Sequence, residues 1–187
     1  PQRIIKCLSC HAVYTVSDEL FKFAKETAEK QGWFMQIHVS ETKQEVDDCF
    51  AKWGMSPVAK LDSLGLLTPK TILAHAVHLS DEDIAIIKKR GCYISTNPIS
   101  NLKLNSGMFM FEKLYEAMPE NITLGTDGAS SNNNLNMLDS MKFCSLVAKA
   151  ESNSALGGKA QDIYKVATTN GAKAFGLDAG EIKEGCL

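Results

Sequence analysis

Short apolar runs punctuate the chain, and longer segments between them repeat apolar residues every three or four positions. The runs fall at residues 4–8, 33–39, 71–74, 92–95 and 122–125. Each has the length and apolar character of a buried strand. The intervening segments carry helix signals. Ser17 is placed to cap one helix, with Asp18 and Glu19 in its first turn, where the helix dipole favours acids. Leu20, Phe21, Phe23, Ala24 and Ala28 recur at helical spacing, and Gly32 ends that pattern. A second helix is predicted over residues 43–53. Ser56 followed by Pro57 predicts a third, stopped by Gly65. Ser80-Asp81-Glu82-Asp83 opens a fourth in the manner of a capping box, ending at Gly91. Residues 108–118, 136–151 and 160–169 complete the helical set, the first stopped by Pro119.

Strands alternating with helices predict an α/β fold with a parallel sheet covered by helices. The strand runs are mostly apolar, as expected when both faces of the sheet are buried. A doubly wound sheet and a (β/α) barrel both satisfy this pattern.

Composition narrows the function. The 187 residues are 44% hydrophobic, enough for one sizeable core in one domain. Twenty basic against 22 acidic residues leave a net charge of -2, which excludes a strongly basic nucleic-acid or membrane-surface binder. No apolar run approaches the ~18–20 residues that span a bilayer. Six cysteines, at 7, 10, 49, 92, 144 and 186, are not a disulfide-dense pattern. Pro1-Gln2-Arg3 leads into no long apolar segment of the signal-peptide kind. A reducing, cytoplasmic compartment with all six thiols buried is therefore the expectation. Cys7-Leu8-Ser9-Cys10-His11 matches the haem c attachment spacing, but haem attachment needs export. A thioredoxin-like C-x-x-C belongs at a helix N-terminus, not at a strand end. No G-x-G-x-x-G follows the first run, which removes the dinucleotide-binding reading.

The polar residues with catalytic potential are ordered. His11 follows the first run, His38 and Glu41 the second, His75 the third, Asn97 and Ser100 the fourth, and Asp127 the fifth. Parallel α/β folds place their active sites at these strand ends. Taken singly, His38 reads as a satisfied core histidine, and Asp127 in Gly125-Thr126-Asp127-Gly128 as a turn residue. His78, just ahead of the Ser80 cap, reads as structural. The set carries the weight. Imidazoles and a carboxylate suit a zinc or iron site with an open position for water. Glu41, three residues past His38, is placed to exchange protons with a bound substrate.

Five motifs occur in order: His11-Ala12-Val13-Tyr14-Thr15, Ile37-His38-Val39-Ser40-Glu41-Thr42, Leu73-Ala74-His75-Ala76-Val77, Asn97-Pro98-Ile99-Ser100-Asn101-Leu102-Lys103-Leu104, and Leu124-Gly125-Thr126-Asp127-Gly128-Ala129-Ser130-Ser131-Asn132-Asn133. Together they resemble the amidohydrolase superfamily, in the branch of the 5-methylthioadenosine/S-adenosylhomocysteine deaminases and related triazine chlorohydrolases. The resemblance implies a partial (β/α)8 TIM barrel, strands 4–8 with their helices. It also implies one divalent metal, zinc or else iron. His38 and Asp127 match metal ligands. Glu41 matches the residue that protonates the purine ring nitrogen, and Asp127 also helps to deprotonate the attacking water. His75 matches a proton-shuttling histidine. His11 matches a substrate contact, and residues 97–103, with Asn97 and Ser100, match the substrate-side loop. The implied reaction is hydrolytic deamination of an adenine-type nucleoside. Guanine, cytosine or a chlorotriazine are the alternative substrates, and a non-catalytic truncated barrel is a further alternative.

The chain departs from the pattern locally at Cys10, Val13 and Ala76. It also lacks the His-x-His pair that supplies two further metal ligands. Residues 1–187 are therefore expected to form a partial metal-dependent hydrolase barrel domain. The strand 1–3 region and the small β domain would be missing, and the chain alone inactive. Two open sheet edges raise self-association as an expectation.

Overall fold

Five strands pair side by side in chain order, every pair parallel. They are β1 (Cys7–Cys10), β2 (Phe34–Val39), β3 (Thr71–His75), β4 (Tyr93–Thr96) and β5 (Ile122–Leu124). A doubly wound sheet reverses its strand order at a switch point; a barrel does not. The unbroken order therefore selects the barrel-type arrangement of the two that the sequence allows. The structure, a computed structural model, describes residues 4–187.

The register fixes which residues share a face. Cys10, Ile37, Leu73, Ile94 and Ile122 are successive register partners across all five strands. All five are buried in the core cluster. Helices cover this face. They are α1 (Asp18–Gln31), α2 (Lys43–Trp53), α3 (Pro57–Ser63), α4 (Asp81–Arg90), α5 (Pro98–Lys103), α6 (Phe111–Ala117), α7 (Ala129–Asn132), α8 (Met137–Glu151), α9 (Ala160–Ala167) and α10 (Thr169–Ala174). Phe21, Val58, Leu61, Ile87, Leu114 and Val166 from them join the same core. The opposite face reads His38–Ala74–Ser95–Thr123 in register, a small and polar row.

Most helix boundaries follow their local chemistry. Ser17, Thr42, Ser56, Ser80 and Asn136 each accept a backbone N–H as an N-cap. Gly32 and Gly91 close α1 and α4 in the left-handed conformation that glycine adopts cheaply. Among the described residues no helix is long and apolar enough to cross a membrane.

Several sequence expectations need correction. The first strand is Cys7–Cys10, not residues 4–8, because pairing with β2 begins only at Cys7 opposite Phe34. Ile4 and Ile5 lie exposed. Only β3 and β5 are buried at every position; β2 and β4 alternate, since Gln36, His38, Tyr93 and Ser95 lie on the less covered face. The helix predicted over 108–118 is confined to Phe111–Ala117. The one over 160–169 breaks at Thr168 into α9 and α10. Helices α5 and α7 were not foreseen. The thiols are all free, but Cys7 is exposed and Cys186 partly so; only the other four are buried.

One buried acid joins two helix starts. The Asp83 carboxylate accepts the Ser80 backbone N–H at 3.1 Å, and Ser80 Oγ accepts the Asp83 N–H at 3.1 Å. Asp83 also accepts a short hydrogen bond from the Ser56 hydroxyl, which itself caps α3. Asp83→Ala removes one capping bond and strands the Ser56 hydroxyl. A loss of about 2 kcal/mol is expected in urea unfolding. A loss below about 0.5 kcal/mol would show that the link is not stabilising.

Candidate active site

Parallel pairing brings the C-terminal ends of the strands to one edge, and the sequence-predicted polar residues gather there. His11 lies just past β1, His38 within β2 and His75 at the end of β3. Asn97 lies between β4 and α5, and Asp127 lies past β5. The backbone is strained at this edge. Apart from three asparagines, the described non-glycine residues with positive φ are Ser40, His75, Ala76 and Asp127. Such conformations cost energy and collect at functional sites. Local bonds hold them in place. Ala76 N–H donates to Val39 O at 3.1 Å, and Val77 and His78 N–H donate to Ser40 O at 3.0 and 2.9 Å.

Three imidazoles form a chain across the sheet edge. The His11 and His38 rings are 5.2 Å apart, and the His38 and His75 rings stack at 5.4 Å. His38 Nδ1 lies 2.8 Å from the His11 carbonyl oxygen. A carbonyl only accepts, so this nitrogen donates, and Nε2 is left bare as a ligand atom. His11 Nδ1 is 2.7 Å from Thr15 Oγ1, whose hydroxyl donates to Ala12 O at 3.2 Å. His78 is arranged the other way: its Nε2 lies 2.6 Å from the Ser106 carbonyl, so it anchors a turn and takes no part in the cluster.

The two acids meet at His75. Its Nε2 lies 3.6 Å from Glu41 Oε2 and 3.9 Å from Asp127 Oδ2. Its Nδ1 lies 2.8 Å from Asn101 Oδ1. Asp127 Oδ2 accepts the Ser100 hydroxyl at 2.6 Å, and Oδ1 accepts the Gly128 N–H at 2.6 Å. Burial pushes the Asp127 carboxyl up. The Ser100 and Gly128 hydrogen bonds and the nearby His75 outweigh that and hold it below its ordinary range. Glu41 Oε1 accepts the Ser106 hydroxyl at 3.0 Å.

Asn97 and Ser100, two of the residues expected at the substrate, are both buried. Ser100 is fully buried and its hydroxyl is committed to Asp127. Asn97 is also buried, packed over Gly125, where a Cβ would collide with the Asn97 amide oxygen and with Ser95 Oγ. His11 alone of the substrate-side candidates is exposed. His38 and Asp127 offer an imidazole nitrogen and a carboxylate, a donor set that suits zinc. Among the described residues no group of three or more His, Cys, Asp or Glu converges as a metal site.

Residues 7–187 match the amidohydrolase family. The chain belongs to that family. This amidohydrolase is 47% identical over 177 residues to the 5-methylthioadenosine/S-adenosylhomocysteine deaminase of Thermococcus sibiricus, covering 95% of the chain and 42% of that protein. It is 43% identical over 185 residues to the 5'-deoxyadenosine deaminase of Methanothermobacter thermautotrophicus, covering 99% of the chain and 43% of that protein. A crystal structure of a zinc-bound adenosine deaminase from Xanthomonas campestris superposes with TM-score 0.90 at 36% identity, over 95% of the chain and 41% of that protein. The chain is thus homologous over most of its length to adenine-nucleoside deaminases, and it spans well under half of theirs. Its five parallel strands and flanking helices correspond to a partial (β/α)8 barrel.

Sequence reasoning passed over Glu45, Asn101 and Ser106. Glu45 sits three residues after the Thr42 cap, the spacing of a capping box, and that was its signal. Its carboxylate reaches past the cap to accept Ser40 N–H at 3.0 Å and Glu41 N–H at 2.8 Å, steadying the strained turn that carries Glu41. Burial raises its carboxyl above the ordinary range, against the pull of those two bonds. A raised folded-state value makes the acid form the better-tolerated one. Its stabilising contribution is then fullest at acid pH and is lost as pH rises through the raised value. The stability gap between the natural protein and Glu45→Gln is therefore expected to widen as pH falls from neutral toward ~4.3, the ordinary glutamate value. Denaturant midpoints measured across that range check the sign; a gap that narrows toward acid contradicts it.

Proposed function

We propose that this chain supplies the proton-handling part of a metal-dependent hydrolytic deaminase acting on an adenine-type nucleoside. The observation that carries the reading is the convergence of Glu41 and Asp127 on His75 Nε2, at 3.6 and 3.9 Å. Hydrolytic deamination requires that water lose a proton as its oxygen adds to the ring carbon. The neighbouring ring nitrogen must gain a proton, and the departing amine must gain one to leave as ammonia. Glu41 is the acid for the ring nitrogen. His75 receives a proton at Nε2, and the resulting imidazolium is stabilised by the two carboxylates beside it. His75 then gives that proton to the departing amine, and Glu41 recovers its own from the hydroxyl left on the ring carbon, so both groups are restored as the carbonyl forms and ammonia leaves. His11, exposed at the rim, contacts the nucleoside.

His38, through its bare Nε2, and Asp127 would hold a divalent metal, zinc by analogy with the zinc-bound relative. Such a metal would make water acidic enough to react near neutral pH. Two ligands are fewer than the three protein ligands usual at catalytic zinc. The chain also spans 42% of the Thermococcus sibiricus relative. We therefore propose residues 1–187 as a partial barrel domain whose complete site draws ligands from further sequence. Free thiols fit a reducing compartment, and we place the protein in the cytoplasm.

The adenine-type substrate rests on the relatives of highest identity described above. A guanine deaminase from C. acetobutylicum stands lower, at 26% identity with TM-score 0.85. The test replaces the matched segment of the Thermococcus sibiricus enzyme with residues 7–187. Ammonia release from 5-methylthioadenosine, 5'-deoxyadenosine, adenosine and guanine is then followed. Release from the adenine nucleosides is expected, with Glu41→Gln lowering kcat by roughly 10²–10⁴-fold. A folded, zinc-loaded chimera that deaminates only guanine, or that keeps its rate with Glu41→Gln, overturns the proposal.

A further inference from the structure

Three groups of the site come from three different strands, yet one short segment touches all of them. Ser100 Oγ donates to Asp127 past β5, Asn101 Oδ1 meets His75 Nδ1 at the end of β3, and Ser106 Oγ donates to Glu41 past β2. Ser100, Asn101 and Ser106 are all at least nine-tenths buried. The segment is itself tied down. Ser106 N–H donates to Asn101 O at 2.8 Å, His78 bonds the Ser106 carbonyl, and Lys103 donates to Ser130 O at 2.6 Å.

We infer that Asn101 is a positioning residue that keeps the hydrogen of His75 on Nδ1 and leaves Nε2 bare toward Glu41 and Asp127. Two orientations of the Asn101 amide are chemically possible, because its oxygen and nitrogen are similar in shape. With the oxygen on His75, the ring donates from Nδ1. With the nitrogen there, the ring must accept at Nδ1 and carry its hydrogen on Nε2. That second arrangement predicts a direct Nε2–H hydrogen bond to a neighbouring carboxylate. Neither carboxylate is that close: 3.6 and 3.9 Å lie beyond the 2.7–3.2 Å of an N–H···O bond. Ser100 and Gly128 supply both oxygens of Asp127, and Ser106 supplies Glu41 Oε1, though not the Oε2 that faces His75. An acceptor at Nδ1 also suits a base. When Nε2 takes a proton, Nδ1 already holds its own, and the Asn101 oxygen serves both states without turning. The arrangement leaves Asn101 Nδ2 buried with no partner among the described residues.

The inference takes its catalytic meaning from the proposed deaminase reading, but its test needs neither metal nor substrate, so the two can fail separately. Ring nitrogens of the 187-residue chain, labelled with ¹⁵N-histidine, are observed by NMR at about pH 8, above the ordinary histidine value of ~6.5. His75 is expected in the Nδ1–H form, with His38 alongside as an internal reference held by the His11 carbonyl. Asn101→Asp, which keeps an acceptor, should retain the hydrogen on Nδ1. Asn101→Leu, which has none, should lose the single form and show Nε2–H, while His38 stays unchanged. A natural protein with His75 in the Nε2–H form overturns the inference. So does an Asn101→Asp variant with bare Nδ1, or a folded Asn101→Leu variant with the spectrum of the natural protein. If Asn101→Leu does not fold, the natural protein and Asn101→Asp still decide.

Discussion

Parallel pairing in chain order is the constraint on which the site depends. The apolar row Cys10–Ile37–Leu73–Ile94–Ile122 locks the five strands in one register. A slip of one residue in any strand would turn that row away from the helices and expose it. The same register sends the small, polar row His38–Ala74–Ser95–Thr123 to the other face and ends every strand at one edge. Hydrophobic burial, which knows nothing of chemistry, thus sets where the histidines and acids emerge. The cost is backbone strain at Ser40, His75, Ala76 and Asp127, held by the cross-strand bonds and by Glu45.

Strand ends alone bring groups near one another without aiming them. Aim comes from hydrogen bonds made at long sequence range. The His11 carbonyl turns His38, Asn101 meets His75, and Ser100 and Ser106 fix one oxygen of each acid. A buried polar group that loses its partner costs about 1–3 kcal/mol. The Asn101–His75 pair, buried on both sides, therefore resists rearrangement most strongly.

What was legible in the sequence was what is locally encoded. Ser17, Ser56 and Ser80 announce their helices because capping is a matter of three neighbouring residues. Helices α5 and α7 were missed because they are short and begin at Asn97 and Gly128 with no side-chain cap. The first strand was placed early because Ile4 and Ile5 look like strand residues, while only the pairing partner Phe34 shows where the ladder starts. The residue types of the site were readable from their position after each apolar run. Their partnerships were not: Ser100 and Asp127 are 27 positions apart, and nothing local shows that this hydroxyl is spent on that acid.

His38 and Asp127 are proposed as two ligands of one metal, while His78 is spent on the Ser106 carbonyl. Zinc affinity of the Thermococcus sibiricus chimera, carrying residues 7–187 of the natural chain or of its variants, read by competition with a chromophoric chelator, is the deciding measurement. His38→Ala is expected to weaken binding most, Asp127→Asn to weaken it less, and His78→Ala to leave it unchanged. Zinc bound as tightly with His38→Ala as with the natural residues would contradict this assignment.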